Sequence, residues 1–148
     1  MGYKDAYRDW FSWCDDAEKK ELLLLKDEKE IEDRFYRDLE FGTAGLRGIM
    51  GAGSNRMNRY NVRKATKGFA EYLQDTYGKR CQDGVIIAYD SRNNSADFAA
   101  EAAHVLCAAG IPVKFFTEPE PIPVLSFSVR HFPVSYTHLR AHETVLDL

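Results

Sequence analysis

The sequence predicts an α/β fold: a three-layer α/β/α domain around a mixed or mostly parallel sheet, preceded by an N-terminal helical segment. Three observations predict it. Gly84-Val85-Ile86-Ile87-Ala88-Tyr89 is a short apolar run bounded by turn residues, the pattern of a buried strand. Ala96–Ala109 then repeats apolar residues at helical spacing, and Val113-Lys114-Phe115-Phe116 is a second strand. Strand, helix and strand in that order form a βαβ unit, whose crossover is expected to be right-handed. Upstream, apolar residues recur at three- and four-residue steps beside Glu- and Lys-rich faces, as in amphipathic helices.

Residues 5–40 are expected to be helical. Trp10, Phe11 and Trp13 belong to a first amphipathic piece, and Leu22, Leu25, Ile31, Phe35 and Leu39 continue the pattern. The many Asp and Glu residues of this lead-in are expected to form a solvated face, with no chemistry assigned.

Between Glu40 and Glu71 the character changes. No carboxylate occurs there, while Arg47, Arg56, Arg59, Arg63, Lys64 and Lys67 all do, in a chain of formal net charge −3. Five glycines fall between Gly42 and Gly53. A glycine-rich backbone can approach a ligand closely, and guanidinium forks can pair with anionic oxygens, so this window suits an anionic ligand. The plain alternative is a glycine-rich turn with solvated arginines.

Asn61 is placed as the N-cap of the next helix, running to Tyr77, with Val62, Ala65, Thr66, Phe69 and Leu73 on its inward face and Gly78 as its stop. Asn94 or Ser95 caps the crossover helix, in which Phe98, Ala102, Leu106 and Ala109 point inward and Gly110 closes the end. Pro119, Pro121 and Pro123 enforce an extended linker, and a last helix begins near Ile122 and carries Val124, Leu125 and Val129.

At 148 residues the chain can build one domain with a proper core. Its mildly acidic balance argues against a nucleic-acid partner, and no nucleic-acid motif accompanies the basic window. Cys14, Cys81 and Cys107 are odd in number and lack metal-ligand spacing, which fits free thiols in a cytoplasmic protein. The chain opens polar and its longest apolar run, Leu22–Leu25, is too short to span a bilayer, so no membrane association is expected.

Phe41-Gly42-Thr43-Ala44-Gly45-Leu46-Arg47-Gly48, continuing to Arg59, resembles the N-terminal signature of the phosphoglucomutase/phosphomannomutase family, the α-D-phosphohexomutases. Three further stretches match in order: Ile87-Ala88-Tyr89-Asp90-Ser91-Arg92, then Gly110-Ile111-Pro112-Val113, then Glu120-Pro121-Ile122-Pro123 running into Leu125–His131. The lead-in from Arg34 to Glu40 is similar to the phosphoglucomutase/phosphopentomutase branch, and the resemblance covers the chain to about Phe132.

The resemblance implies an intramolecular phosphotransferase in which a phosphoserine donates its phosphoryl group to a hexose or pentose monophosphate and a sugar bisphosphate serves as intermediate and activator. It implies that Arg47 contacts phosphate, with Thr43 and the Gly42 and Gly45 backbone shaping the same corner. It also implies Mg2+, but neither the phosphoserine loop nor the metal ligands of the family occur in this sequence. Ser126 and Ser128 precede the position where that loop would lie and are not assigned as nucleophiles. The expected organisation is a helical lead-in at 1–40, a partial domain I at 41–132, and domains II–IV absent, which leaves the polypeptide inert by itself.

From Val134 the resemblance stops. Reverse translation of the stretch resembles a sequencing-library adaptor read in frame, so 134–148 is expected to be a non-native tail with no strand paired to the βαβ sheet. His138 and His142, at helical spacing, are accordingly not taken as a metal pair. Two other functions fit an α/β module of this size. One is a stand-alone phosphate- or nucleotide-binding module, although the turn after the first strand is Asp90-Ser91-Arg92-Asn93-Asn94, without Gly-x-Gly-x-x-Gly. The other is a non-catalytic interaction fragment.

Overall fold

A computed structural model describes residues 2–42, 45–132 and 136–140, with Phe41, Gly42, Gly45 and the last five described by their backbone alone. The order of elements is α1 (Tyr3–Trp13), α2 (Asp16–Leu24), α3 (Glu28–Phe35), β1 (Phe41–Gly42), β2 (Gly45–Leu46), α4 (Arg59–Tyr77), β3 (Val85–Ala88), α5 (Ser95–Ala108), β4 (Val113–Phe115), α6 (Ile122–His131) and β5 (Tyr136–Arg140). The residues group into two compact units, one running to Asn61 and the other beginning at Val62. The first joins the helical lead-in to the glycine-rich segment.

In the first unit the helical stretch expected over 5–40 is built from three short helices. Each break has a local cause. Asp15 accepts the backbone N–H of Glu18 at 2.9 Å and starts α2; Asp27 accepts that of Lys29 at 3.0 Å and starts α3. These side chains satisfy amide donors that a helix start leaves open. Trp10, Cys14, Leu22, Phe35 and Ala52 form the buried core, with Tyr7, Phe11, Ile31 and Tyr60 packed around it. Trp10 and Phe35 meet edge to face at 6.0 Å, and Trp10 and Tyr60 at 5.7 Å. Such pairs add to the burial of apolar area. Trp13 packs on the same cluster but remains half exposed.

The second unit contains the βαβ element. β3 and β4 pair in parallel, Val85 opposite Val113 and Ile87 opposite Phe115. All four β3 residues are buried, as a central strand covered on both faces must be. Ile86 and Ala88 pack with Leu125 of α6, and Phe116 and Val129 join them. Alternation along the strand sends Val85 and Ile87 to the opposite face, and α5 packs on β3 and β4. Gly84 enters β3 at φ +85°, and a Cβ there would lie 2.6 Å from the carbonyl oxygen of Pro112, so glycine is required.

Two expectations need correction. The helix α4 begins at Arg59, and its cap is Asn58 rather than Asn61: the Asn58 Oδ1 accepts the Asn61 N–H at 2.9 Å. Asn61 is free for a different task, described below. The other correction concerns the tail. Tyr136–Arg140 is a strand, paired in parallel with β3 on the side away from β4, with a register shift between Ile86 and Ile87. The expectation that this stretch stays off the sheet therefore fails. Without it β3 would leave a row of backbone donors and acceptors open, and a segment rich in Tyr, Thr and Leu suits that edge. His138 lies in this strand, where the backbone alone is described, and His142 lies outside the described residues.

Among the described residues no helix is long and apolar enough to cross a membrane. All three cysteines are free, Cys14 and Cys81 buried and Cys107 exposed.

Candidate functional site

The signature stretch opens with a minimal antiparallel hairpin in which Phe41 pairs with Leu46 and Gly42 with Gly45. Two residues connect these strands in the sequence. Those two, Thr43 and Ala44, lie outside the described residues, so of the three residues assigned from sequence only Gly45 and Arg47 can be placed. Gly45 sits in β2. Arg47 follows that strand directly, and its side chain is exposed.

Beyond Arg47 the backbone is tied down quickly. Gly48 lies so close to Leu39 that a Cβ there would fall 2.7 Å from Leu39 Cδ1. Met57 N–H donates to Ile49 O at 2.7 Å, and Gly51 N–H donates to Met57 O at 3.2 Å. Asn61 Nδ2 donates to the carbonyls of Gly53 at 3.1 Å, Ser54 at 3.0 Å and Arg56 at 2.7 Å. Asn58 Nδ2 donates to Gly51 O at 3.0 Å and Gly53 O at 2.9 Å. Two buried amides thus satisfy the loop carbonyls that no strand or helix partner can reach.

The other side of the loop rests on the helical lead-in. Arg34, buried, donates from Nη1 to Glu21 and to Ala52 O at 3.1 Å, and from Nη2 to Glu30 at 2.8 Å. Burial opposes the Arg34 charge, but hydrogen bonds to Glu21 and Glu30 outweigh it and hold the guanidinium above its usual range. Ala52 N–H donates to both oxygens of Glu21, at 3.3 and 3.2 Å. Asn55 N–H donates to Arg34 O at 2.9 Å, and Arg56 pairs with Asp33 at 2.6 Å. The Glu21, Glu30 and Asp33 carboxylates are therefore not simply a solvated face. Sequence reading missed them; the one signal was an Arg at an inward helical step, between Ile31 and Phe35.

The basic window can now be sorted. Arg56 pairs with Asp33, Arg59 with Asp15, Arg63 with Glu101 through two bonds of 2.7 and 3.0 Å, and Lys67 with Glu71 at 3.5 Å. Lys64 also has a partner. Arg47 makes no hydrogen bond or ion pair with any described residue. It is a guanidinium fork without a partner among the described residues, on a stem whose later part is hydrogen-bonded at Ile49 and Gly51.

In the second unit, the loop at the C-terminal end of β3 is braced by its own side chains. Arg92 N–H donates to Asp90 Oδ1 at 3.1 Å, the Arg92 side chain lies 3.5 Å from Asp90 Oδ2, and Asp90 N–H donates to Ser95 Oγ at 3.2 Å. Asn94 takes φ +59° to enter α5. Asp90 thus accepts at the end of the strand while Arg92 braces the loop. Ser128 donates to Val124 O at 2.8 Å and is buried, a helix-internal role. Among the described residues no group of three or more His, Cys, Asp and Glu could hold a metal ion.

Residues 38–139 match the family described as "Phosphoglucomutase/phosphomannomutase, alpha/beta/alpha domain I". The match runs past Phe132, where the motif resemblance ends. Human phosphopentomutase is 36% identical over 118 residues, covering 76% of this chain and 19% of its own length. Phosphoglucomutase of Staphylococcus haemolyticus is 34% identical over 126 residues, covering 85% of this chain and 22% of its own. Glucose 1,6-bisphosphate synthase of Mus musculus is 34% identical over 135 residues, covering 84% and 22%. The chain thus spans about a fifth of the length of these relatives. No solved structure matches it.

Proposed function

Because the chain belongs to the phosphoglucomutase/phosphomannomutase family, we propose that it supplies one phosphate-binding corner of a larger sugar-phosphate mutase. The observation that carries this is Arg47: exposed, next to the β1–β2 hairpin, and alone among the arginines of the basic window in having no partner among the described residues. Its guanidinium can give two parallel N–H bonds to phosphoryl oxygens. The Gly45 backbone and Thr43 would complete the corner.

In the proposed reaction a phosphoserine elsewhere in the polypeptide passes its phosphoryl group to a hydroxyl of a hexose or pentose monophosphate. The bisphosphate reorients and returns its other phosphoryl group to the serine. A 1-phosphate thereby becomes a 6- or 5-phosphate, and the number of phosphoryl groups is conserved. Arg47 would orient the substrate and offset negative charge that spreads over the transferred group, work that is positioning and electrostatics rather than covalent chemistry. The relatives carry names for pentose, glucose and glucose bisphosphate chemistry, so the substrate class is left at hexose or pentose monophosphate. Magnesium in this chemistry acts as a Lewis acid on phosphoryl oxygen. The described residues offer it no ligand set, and no step is assigned to it.

The 148-residue chain by itself is expected to be inactive. The test is a coupled assay with glucose 1-phosphate and ribose 1-phosphate, Mg2+ and a bisphosphate primer. It is run on this chain and on a polypeptide that continues it to the length of the relatives. Turnover by the longer protein alone supports the reading; turnover of neither sugar phosphate by the longer protein would defeat it.

A further inference from the structure

We propose that the Glu21–Arg34 ion pair is a positioning device for Arg47, acting through the peptide of Ala52. The inference rests on Arg47 being a phosphate contact, and it assigns a role to the helical lead-in. Ala52 is held at both of its backbone polar groups: its N–H by the two carboxylate oxygens of Glu21, its C=O by Arg34 Nη1 at 3.1 Å. The two side chains are in turn bonded to each other. The pair therefore grips one residue of the loop as a ladder partner would, from α2 and α3.

The fit leaves no room for slack. Gly51, at φ +142°, brings its Cα so close that a Cβ would fall 2.7 Å from Glu21 Oε1 and 3.0 Å from Arg34 Nη1. Gly53, at φ +132°, approaches the carbonyl oxygen of Arg34 just as closely, with a Cβ at 2.7 Å. From Ala52 the constraint runs back along a short path. Gly51 N–H is bonded to Met57 O and Ile49 O to Met57 N–H, and Gly48 lies against Leu39. Arg47 is the next residue. Its backbone is thus set by a chain of contacts that begins at the ion pair.

Stability alone does not account for this arrangement. Arg34 is only 10% exposed at its side chain, and its Nε has no acceptor among the described residues. Glu21 and Glu30 keep 40% and 45% of their side chains exposed, so the desolvation falls on the arginine and offsets part of the attraction. What a charged fork gives that an apolar pair cannot is a fixed direction for the Ala52 peptide.

The experiment uses the 15N-labelled 148-residue chain and two variants. Arg34→Lys keeps a positive charge beside Glu21 but loses the fork. The double variant Glu21→Leu/Arg34→Met removes both charges and restores apolar contact. Three quantities are read: the thermal midpoint, amide exchange at Gly51, Ala52 and Met57 relative to α1, and the Arg47 Nε–H signal during a titration with inorganic phosphate. The double variant leaves the Ala52 N–H and C=O without their partners and is expected to melt below the wild type, which is why exchange is read relative to α1. In the double variant, which removes the acceptor of the Ala52 N–H, exchange there should be about tenfold faster or more, the scale set by losing a charge-assisted hydrogen bond; in Arg34→Lys, which keeps Glu21 but loses the fork, it should be faster by less. Phosphate affinity at Arg47 should fall in parallel.

Unchanged Ala52 exchange and an unchanged Arg47 signal in both variants would overturn the proposal. Should the double variant fail to fold, Arg34→Lys decides the matter by the same criteria. A wild-type chain whose Arg47 signal ignores phosphate, with exchange still accelerated in the variants, would remove the phosphate reading of Arg47 while leaving the clamp in place.

Discussion

Asn58 Oδ1 accepts the backbone N–H of Asn61 at 2.9 Å, while the side-chain amide nitrogens of both residues turn back and donate to carbonyls of the preceding loop, at Gly51, Gly53, Ser54 and Arg56. The start of α4 and the end of the glycine-rich loop are therefore one hydrogen-bonded object. Asn58→Ala removes a helix cap and leaves the partly buried Gly51 carbonyl without its donor. It should cost about 2–3 kcal/mol, combining a cap of ~1 kcal/mol with one unsatisfied acceptor at the lower part of the ~1–3 kcal/mol range. Urea unfolding measures it; a loss under ~0.5 kcal/mol, the range of an ordinary surface change, would contradict the arrangement.

Glycine substitutions separate forced positions from optional ones. Gly53→Ala places a methyl 2.7 Å from the Arg34 carbonyl oxygen at φ +132°, where neither the backbone nor the neighbour can yield easily. It should destabilise by more than ~1 kcal/mol. Gly68, inside α4, has nothing within 4 Å of where an added methyl would sit, and Gly68→Ala should stabilise by ~0.5–1 kcal/mol. Thermal melts of the pair check both signs at once.

Glu18 gives a pH signature. Burial raises its carboxyl above the ordinary value, against the pull of the Trp10 indole, which donates to it at 2.7 Å; Glu21 adds to the rise. An acid raised in the folded state binds its proton more tightly there. The stability it contributes is fully present below the unfolded Glu value of about 4.3 and is lost as pH climbs through the raised folded value. Glu18→Gln keeps an acceptor for the indole and does not titrate. Its melting temperature relative to wild type should therefore rise from about pH 4 to about pH 7, by a small amount because the group is partly solvated. A difference that stays flat, or runs the other way, would contradict this.

The βαβ unit was legible because its signals are local and agree. Val85–Ala88 is uninterrupted and apolar, Gly84 marks the start of the strand and Gly110 the end of the crossover helix, and the three prolines before and within the start of α6 exclude any continuation of β4. The seat of the loop was not legible. Glu21, Glu30 and Asp33 lie in a Glu/Lys-rich stretch whose helix-face pattern is the same whether a carboxylate meets water or a buried arginine. Asn58 and Asn61 are both suited to a cap, and only the position of the first helical turn distinguishes them. The strand at Tyr136–Arg140 was missed for another reason. Its pairing is set by the open side of β3, a property of the sheet rather than of the segment.

Arg47 was singled out by motif, and its lack of a partner among the described residues could not have been read from sequence. A carboxylate-free window says only that partners, if any, come from elsewhere. For Arg56, Arg59 and Arg63 they do, from Asp33, Asp15 and Glu101.

The most direct test of the account is kcat/KM for Arg47→Ala beside Arg59→Ala in the longer, active polypeptide, each checked for intact folding. This ratio reports the transition state relative to free enzyme and substrate. Arg47→Ala should lose about 2–4 kcal/mol of transition-state stabilisation, the scale for one preorganised charge-stabilising donor. Arg47→Lys should recover only part of it, because an ammonium cannot supply the bidentate fork. Arg59→Ala, whose guanidinium is engaged with Asp15, should lose far less. Near-normal kcat/KM in Arg47→Ala, or equal losses at both arginines, would contradict the claim that Arg47 is the phosphate contact of this site.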